Sequence, residues 1–340
     1  MARTYQVGIL SDIHYASAAE KARGDDFELQ RIANPCLRLA VRLHRRFIWL
    51  DGPLHQNGLL DRFLLQAGGH YDYVVAVGDY SCDSAAIGLS DDAACQSVRE
   101  CLGKLRGRFG AGFRAVCGDH ELGKLSLFGG RGGMRLESWR RALTELDPPG
   151  FWQVNAGNYV LMGVTSSLVA LRVFEPDTLP AERPEWERLR EAHLAEIRQA
   201  FAALRPDQRV LLFCHDPTAL PFLWREEAVR AKLGQLEQTI IGHLHSNLVL
   251  WKGRLLAGLP RIGFLGHTAL RLSTALNEAR HWRAFHVRLC PALAGIELLK
   301  DGGYLSVVLD TGGQQPARFQ FHPLPRRNWR TKACSRPGEE

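Results

Sequence analysis

Six apolar runs of strand length punctuate the chain, and five of them stop on an acid or a histidine. Residues 5–10 run into Ser11-Asp12, 72–77 into Gly78-Asp79, and 113–117 into Gly118-Asp119. Residues 209–214 run into His215-Asp216 and 238–241 into Gly242-His243, while 159–164 lead only to Thr165-Ser166-Ser167. Runs so continuously apolar belong in a sheet buried on both faces, which helices must cover. One such helix is plain over residues 184–204, where Trp186, Leu189, His193, Ile197, Phe201 and Leu204 share a face opposite charged residues. Pro184 and Pro206 mark its limits. With 46% apolar and 23% charged residues over 340 positions, the chain can bury a core without disulfides or structural metal. That composition excludes the disordered, collagenous and disulfide-scaffold classes.

The polar strand ends form a set: Asp12-x-His14, Gly78-Asp79, Gly118-Asp119-His120-Glu121, His215, and Gly242-His243-x-His245. In an α/β sheet the loops at the carboxyl ends of strands converge on one crevice. Imidazoles and carboxylates without a thiolate pair suit borderline metals such as Zn, Mn or Fe. The set exceeds one tetrahedral site, so two divalent metal ions are expected. Such a pair can clamp both the attacking and the leaving oxygen of an in-line displacement at phosphorus. Gly78, Gly118 and Gly242 would let the chain turn off each strand with its backbone close to the site.

The order of these residues resembles the calcineurin-like metallophosphoesterase superfamily, from about residue 5 to about residue 260. The resemblance implies an α/β fold, a four-layer sandwich of β-sheets flanked by helices, here with helical insertions, around a dinuclear centre. It also implies that Asp12, His14 and His245 hold the first metal and that Asp79 bridges the two. Asp119, His215 and His243 would hold the second, and His120 would protonate the leaving group or steady the phosphate. The activity implied is hydrolysis of a phosphoester or pyrophosphate bond by a metal-bridged hydroxide, with His120 as the catalytic residue. Two departures stand out. The family usually has Asn where this chain has Asp119, whose extra charge should tighten the second metal and weaken it as a Lewis acid. The family also has an Asp or Asn three residues after the bridging Asp, whereas Asp83 lies four after Asp79; a solvated loop acid is expected there.

Weaker signals surround this set. Residues 129–135, Gly-Gly-Arg-Gly-Gly-Met-Arg, lack the Gly-Lys-Ser/Thr ending of a Walker loop. Arg131 or Arg135 could still fork a substrate phosphate, against the plainer expectation of surface arginines on a loop. Glu20, Asp25, Asp26 and Glu28 read as a solvated acidic stretch. Eight scattered cysteines with no C-x-x-C pair favour free thiols in a reducing compartment. No signal peptide is visible and no run reaches bilayer length, so the expected location is cytoplasmic, at most peripheral to a membrane.

One domain is expected over residues 1–325, with helical insertions at about 34–65 and 264–290 and a basic, disordered tail at 326–340. The 43 basic against 36 acidic side chains give a net charge of +7. That surplus favours anionic partners, namely a phosphate-containing small molecule or a lipid-linked nucleotide. Nucleic acid is not expected, because no basic stripe interleaved with aromatics is present. Residues 37–50 set Leu37, Val41, His44 and Ile48 on one line and Arg38, Arg42, Arg45 and Arg46 on another. Residues 265–288 repeat the theme with Leu265, Ala269, Leu272, Leu276 and Ala279 in register. Helices of this kind can lie at an anionic membrane surface; the simpler expectation is ordinary cover, with arginines in water. Calcineurin-like enzymes of the lipid A pathway carry helical inserts that receive acyl chains, so one alternative is an enzyme similar to UDP-2,3-diacylglucosamine pyrophosphohydrolase. An alternative of another class is a non-catalytic metal-binding scaffold, against which the complete ligand set and His120 argue.

Overall fold

The computed structural model describes residues 4–67, 71–124, 133–146, 150–264 and 267–325. Ten strands form two five-stranded sheets. The first has the order β10-β9-β1-β2-β3 and the second β4-β5-β6-β7-β8. In the first, β1 (Thr4–Leu10), β2 (Tyr73–Ala76) and β3 (Phe113–Ala115) are parallel, and β9 (Gly303–Asp310) and β10 (Arg318–Pro323) complete an antiparallel edge. In the second, β4 (Trp152–Ala156) is antiparallel to β5 (Tyr159–Val164), which continues in parallel to β6 (Arg209–Cys214), β7 (Leu236–Ile241) and β8 (Val287–Leu289).

The apolar runs are continuous because each strand is buried on both faces by different partners. Val7, Ile9, Val75, Val77, Leu211, Phe213 and Ile240 pack between the two sheets. Their neighbours Leu10, Val74, Ala76, Val210, Leu212 and Ile241 join the cluster that includes the covering helices. Period-two alternation is thus present, hidden because neither side meets water. The helix Arg183–Ala202 buries Trp186, His193, Ile197 and Phe201 as its periodicity requires. Two sheets with helices outside each give the α/β sandwich, in place of one doubly covered sheet. The first sheet's antiparallel edge, β9 and β10, left no mark in the six runs.

The helices over residues 35–47 and 267–278 differ from expectation. Helix Pro35–Phe47 has no buried residue, and its half-buried row is Arg38, Val41 and Arg45. Arg38 donates to the Ile32 carbonyl, Arg42 pairs with Asp26 at 2.9 Å and Arg45 with Glu28 at 2.6 Å. Leu37, Leu39, Leu43, Phe47 and Ile48 are exposed. In the helix His267–Glu278 the same inversion holds, with Arg271, Ser273 and Glu278 buried and Leu270 and Leu272 exposed. The helical pattern over 265–288 also stops short. Residues Ala279–Phe285 form a 3-10 turn that buries Trp282 and Phe285, and Val287–Leu289 is the edge strand β8. The tail at 326–340 and Leu265 lie outside the described residues. Among the described residues no helix is long and apolar enough to cross a membrane, and the seven described cysteines are free.

Candidate metal centre

Parallel pairing sends the carboxyl ends of β1, β2 and β3, and of β6 and β7, to one edge of the sandwich. There Asp12 N donates to the Gly78 carbonyl and His14 N to the Asp79 carbonyl, both at 3.1 Å, so β1 and β2 stay paired beyond the strands. His243 N donates to both Asp12 carboxylate oxygens at 3.1 Å, which ties the two sheets together. Asp12, His14, Asp79, His243 and His245 all have φ between 50° and 61°. Left-handed backbone at non-glycine residues costs on the order of 1–3 kcal/mol each and persists where surrounding structure enforces it. Gly78 has φ 93°, and a Cβ there would lie 2.6 Å from His215 Nδ1. Gly118 and Gly242 are required for space: a Cβ would come 2.3 Å from Asp79 Oδ1 or 2.0 Å from Ser11 Oγ.

The side chains that the sequence singled out meet in overlapping groups. Asp79, Asp119, His215 and His243 form one, Asp12, His14 and His245 a second, and His14, Asp79 and His120 a third. In the first, His215 Nε2 lies 3.1 Å from Asp119 Oδ1 and 3.2 Å from Asp79 Oδ2, and His243 Nδ1 lies 3.0 Å from Asp119 Oδ1. In the second, His245 Nε2 is 3.3 Å from Asp12 Oδ1 and 3.1 Å from His14 Nε2. His120 Nε2 stands 3.7 Å from Asp79 Oδ2. All are buried except half-buried His243.

Backbone carbonyls set the tautomers. His215 Nδ1 lies 2.6 Å from the Val77 carbonyl, His120 Nδ1 3.1 Å and His14 Nδ1 3.4 Å from the Ser81 carbonyl. A carbonyl accepts only, so each Nδ1 carries a proton and each Nε2 points inward, where its lone pair is available once the ring is neutral. The His14 Nε2 lone pair faces His245 Nε2 at 3.1 Å, and His245 Nδ1 is buried with no hydrogen-bond partner among the described residues. The donor set fits a cation, and the carbonyls supply the orientation that metal-ligating imidazoles require.

Charge distribution agrees. Burial opposes ionisation of Asp119, but His243 and His215 override it and hold its carboxyl well below the usual range. Burial opposes protonation of His243, yet Asp216 and then Asp119 push it up to about 10. His215 is likewise raised by Asp79 and Asp119 against its burial. His120 moves the other way: burial dominates, with Lys124 and His14 adding repulsion, and its pKa falls to about 4 despite the attraction of Asp79.

Several residues of the site were not anticipated. Glu121 accepts from the Gly118, Asp79 and Tyr80 amides at 2.8, 3.0 and 2.8 Å and so braces two ligand loops; its place in the Gly-Asp-His-Glu run was the available signal. Trp49 stacks on His245 with ring centroids 4.6 Å apart, which no local pattern announced. Asp83 is not a solvated acid: it is fully buried, accepts from Gly88 N at 3.1 Å and is pushed by burial up to about 7. The acidic stretch is not solvated throughout either. Glu20 is fully buried and accepts from Ser84 N and Ser97 Oγ, and Glu28 bridges Arg45 and Lys124. Arg131 lies outside the described residues. Arg135 Nη1 donates to the Met134 carbonyl at 2.9 Å, and among the described residues it is absent from the cavity wall beside the centre.

No family model and no curated protein matches this sequence. Solved structures are similar in shape. A dimetal phosphatase from Danio rerio aligns over 93% of this chain and 95% of its own at 12% identity, with a TM-score of 0.41. A purple acid phosphatase from yellow lupin (Lupinus luteus) seeds aligns over 72% of this chain at 11% identity, with a TM-score of 0.37, and only 38% of its own length is covered. At these scores the likeness assigns no role to any residue.

Proposed function

We propose that this chain is a dinuclear metal-dependent hydrolase that cleaves a phosphoester or phosphoanhydride bond. The observation that carries the reading is that Asp79 belongs both to the group of Asp119, His215 and His243 and to that of His14 and His120. A carboxylate shared in this way is what two adjacent cations need. Asp12, His14 and His245 would hold the first and Asp119, His215 and His243 the second. Two divalent cations there would supply Lewis acidity toward phosphoryl oxygens and a water acidic enough to attack at neutral pH.

The chain's own residues do the rest. The Ser81 carbonyl fixes the Nδ1 proton of His120, so its Nε2 is the atom turned to the reacting centre. At a pKa of about 4 that nitrogen is unprotonated at neutral pH. A phosphate dianion arriving beside the ring favours the charged form, so His120 takes up a proton with the substrate and holds it for the leaving oxygen. Asp119 keeps its full charge between His215 and His243, which binds the second cation tightly at the expense of its Lewis acidity. An amphiphilic, lipid-linked nucleotide is the favoured finer reading of the substrate, because exposed Phe47 and Ile48 flank Trp49 and Leu50 at the cavity wall.

The test is turnover of p-nitrophenyl phosphate, its diester, a cyclic nucleotide and a UDP-linked lipid by metal-loaded protein, with Asp79→Asn as control. Turnover of at least one substrate, lost in Asp79→Asn, is expected. Two bound metals without turnover of any would sink the enzyme reading in favour of a metal-binding scaffold.

A further inference from the structure

Beside the centre lies an open cavity whose wall includes His14, His120, Trp49, Glu28, Arg45 and Lys124. Its two cations come from unrelated parts of the chain. Arg45 belongs to the inserted helix Pro35–Phe47, and Lys124 follows the turn that carries Asp119 and His120. Among the described residues Glu28 is the one ion-pair partner of both, at 2.6 Å from Arg45 and 2.9 Å from Lys124. The other acid at the wall, Asp25, lies 3.4 Å from His55 Nε2.

We infer that Arg45 and Lys124 form an anion subsite for a second charged group of the substrate, a phosphate or carboxylate carried on the same molecule as the group at the metal centre. The inference rests on the phosphohydrolase reading and deepens it: the substrate bears at least two anionic groups. One carboxylate takes only part of the donors of a guanidinium and an ammonium, and it fixes both cations before a ligand arrives. Glu28 stays ionised throughout, since Lys124 and then Arg45 overcome its burial and hold it at about 2. Glu28 also ties the helix Pro35–Phe47 to the segment that follows His120. Both cations share the cavity wall with His120 and place charge-assisted donors beside the centre.

The probe is inhibition of p-nitrophenyl phosphate turnover by methylphosphonate and by alkylene bisphosphonates of increasing linker length, with metal content measured alongside. At one linker length the bisphosphonate should bind about tenfold or more tighter than methylphosphonate, the gain expected from one or two charge-assisted hydrogen bonds. Arg45→Gln, on an exposed helix, and Lys124→Met should each lower that ratio toward one. Glu28→Gln should raise it, because the competing carboxylate is gone while both cations remain. Equal inhibition by both compounds at every linker length overturns the inference. So does a wild-type preference that Arg45→Gln and Lys124→Met leave intact, or a loss in Glu28→Gln matching theirs, which marks the triad as structural. If methylphosphonate does not inhibit and no substrate turns over, the phosphohydrolase reading fails first and takes this inference with it.

Discussion

His215 and His243 hold protons in the places where cations would sit. His243 is raised to about 10 and His215 well above the ordinary value, each by carboxylates that outweigh its burial. Cation binding at neutral pH must therefore expel one proton from each ring. Calorimetric titration in buffers of different ionisation enthalpy should show this release, and affinity should rise steeply with pH; binding without proton release would contradict the ligand roles. For the metal-free chain the sign follows from raised folded-state values. The stabilisation is complete below the unfolded histidine value of about 6.5 and is lost as pH rises through about 10. His120 calls for another measurement. His120→Ala should keep both metals while kcat falls by ~10²–10⁴, least for substrates with good leaving groups, which need little protonation as the bond breaks. Equal loss across leaving groups would make it a phosphate-positioning residue. In Asp119→Asn one oxygen and the shape remain while the charge between His215 and His243 goes. Metal retention should weaken and turnover at saturating metal should hold or rise; tighter metal binding would refute the charge argument.

At the scale of elements, the strands and the ligand order were legible because apolar runs and polar ends are local signals. What escaped was non-local. Nothing in residues 303–310 says that they pair with β1 as well as with residues 318–323. Nothing near Asp83 says that the turn at Gly88 will bury it. The inserted helices misled for a physical reason. Amphipathic spacing shows that two faces differ, and the usual inference puts the apolar face inward. Here the Ile32 carbonyl and Glu28 hold Arg38 and Arg45 of Pro35–Phe47 on its half-buried row, and Asp177 does the same for Arg271 at 3.1 Å, while the leucines turn outward. The membrane expectation changes accordingly. Any contact with a lipid surface would rest on Leu39, Leu43 and Phe47, so vesicle sedimentation by that route would persist at high salt and be lost in Leu43→Ser with Phe47→Ser, whereas no sedimentation at any salt leaves the helix as ordinary cover. Binding that salt abolishes would return the role to the arginines. Stability of that double variant should change by no more than about 0.5 kcal/mol per site, as for other exposed positions.

At the scale of the whole molecule, the centre spans the seam of the sandwich. Asp12 and His14 follow β1 of the first sheet, and their partner His245 follows β7 of the second. Asp79 and Asp119 follow β2 and β3, and their partners His215 and His243 follow β6 and β7. Each cation would therefore staple one sheet to the other, next to the inter-sheet core of Val77, Phe213 and Ile240. Ligands that bind the native state and hardly the unfolded one stabilise it by about 2.7 kcal/mol at a hundred times Kd. For a chain of 340 residues that is roughly 4 °C in Tm for each site filled. Chelation should lower Tm by that order, and His245→Ala on one sheet should cost about as much as Asp12→Ala on the other, since either opens the same staple. Hydrogen exchange separates a staple from mere ordering of loops. If the cations join the sheets, removing them should speed exchange at amides inside β1, β2, β6 and β7 as well as in the loops. Exchange that changes only in the loops would mean that the sandwich holds itself together and that the ligand loops alone depend on metal.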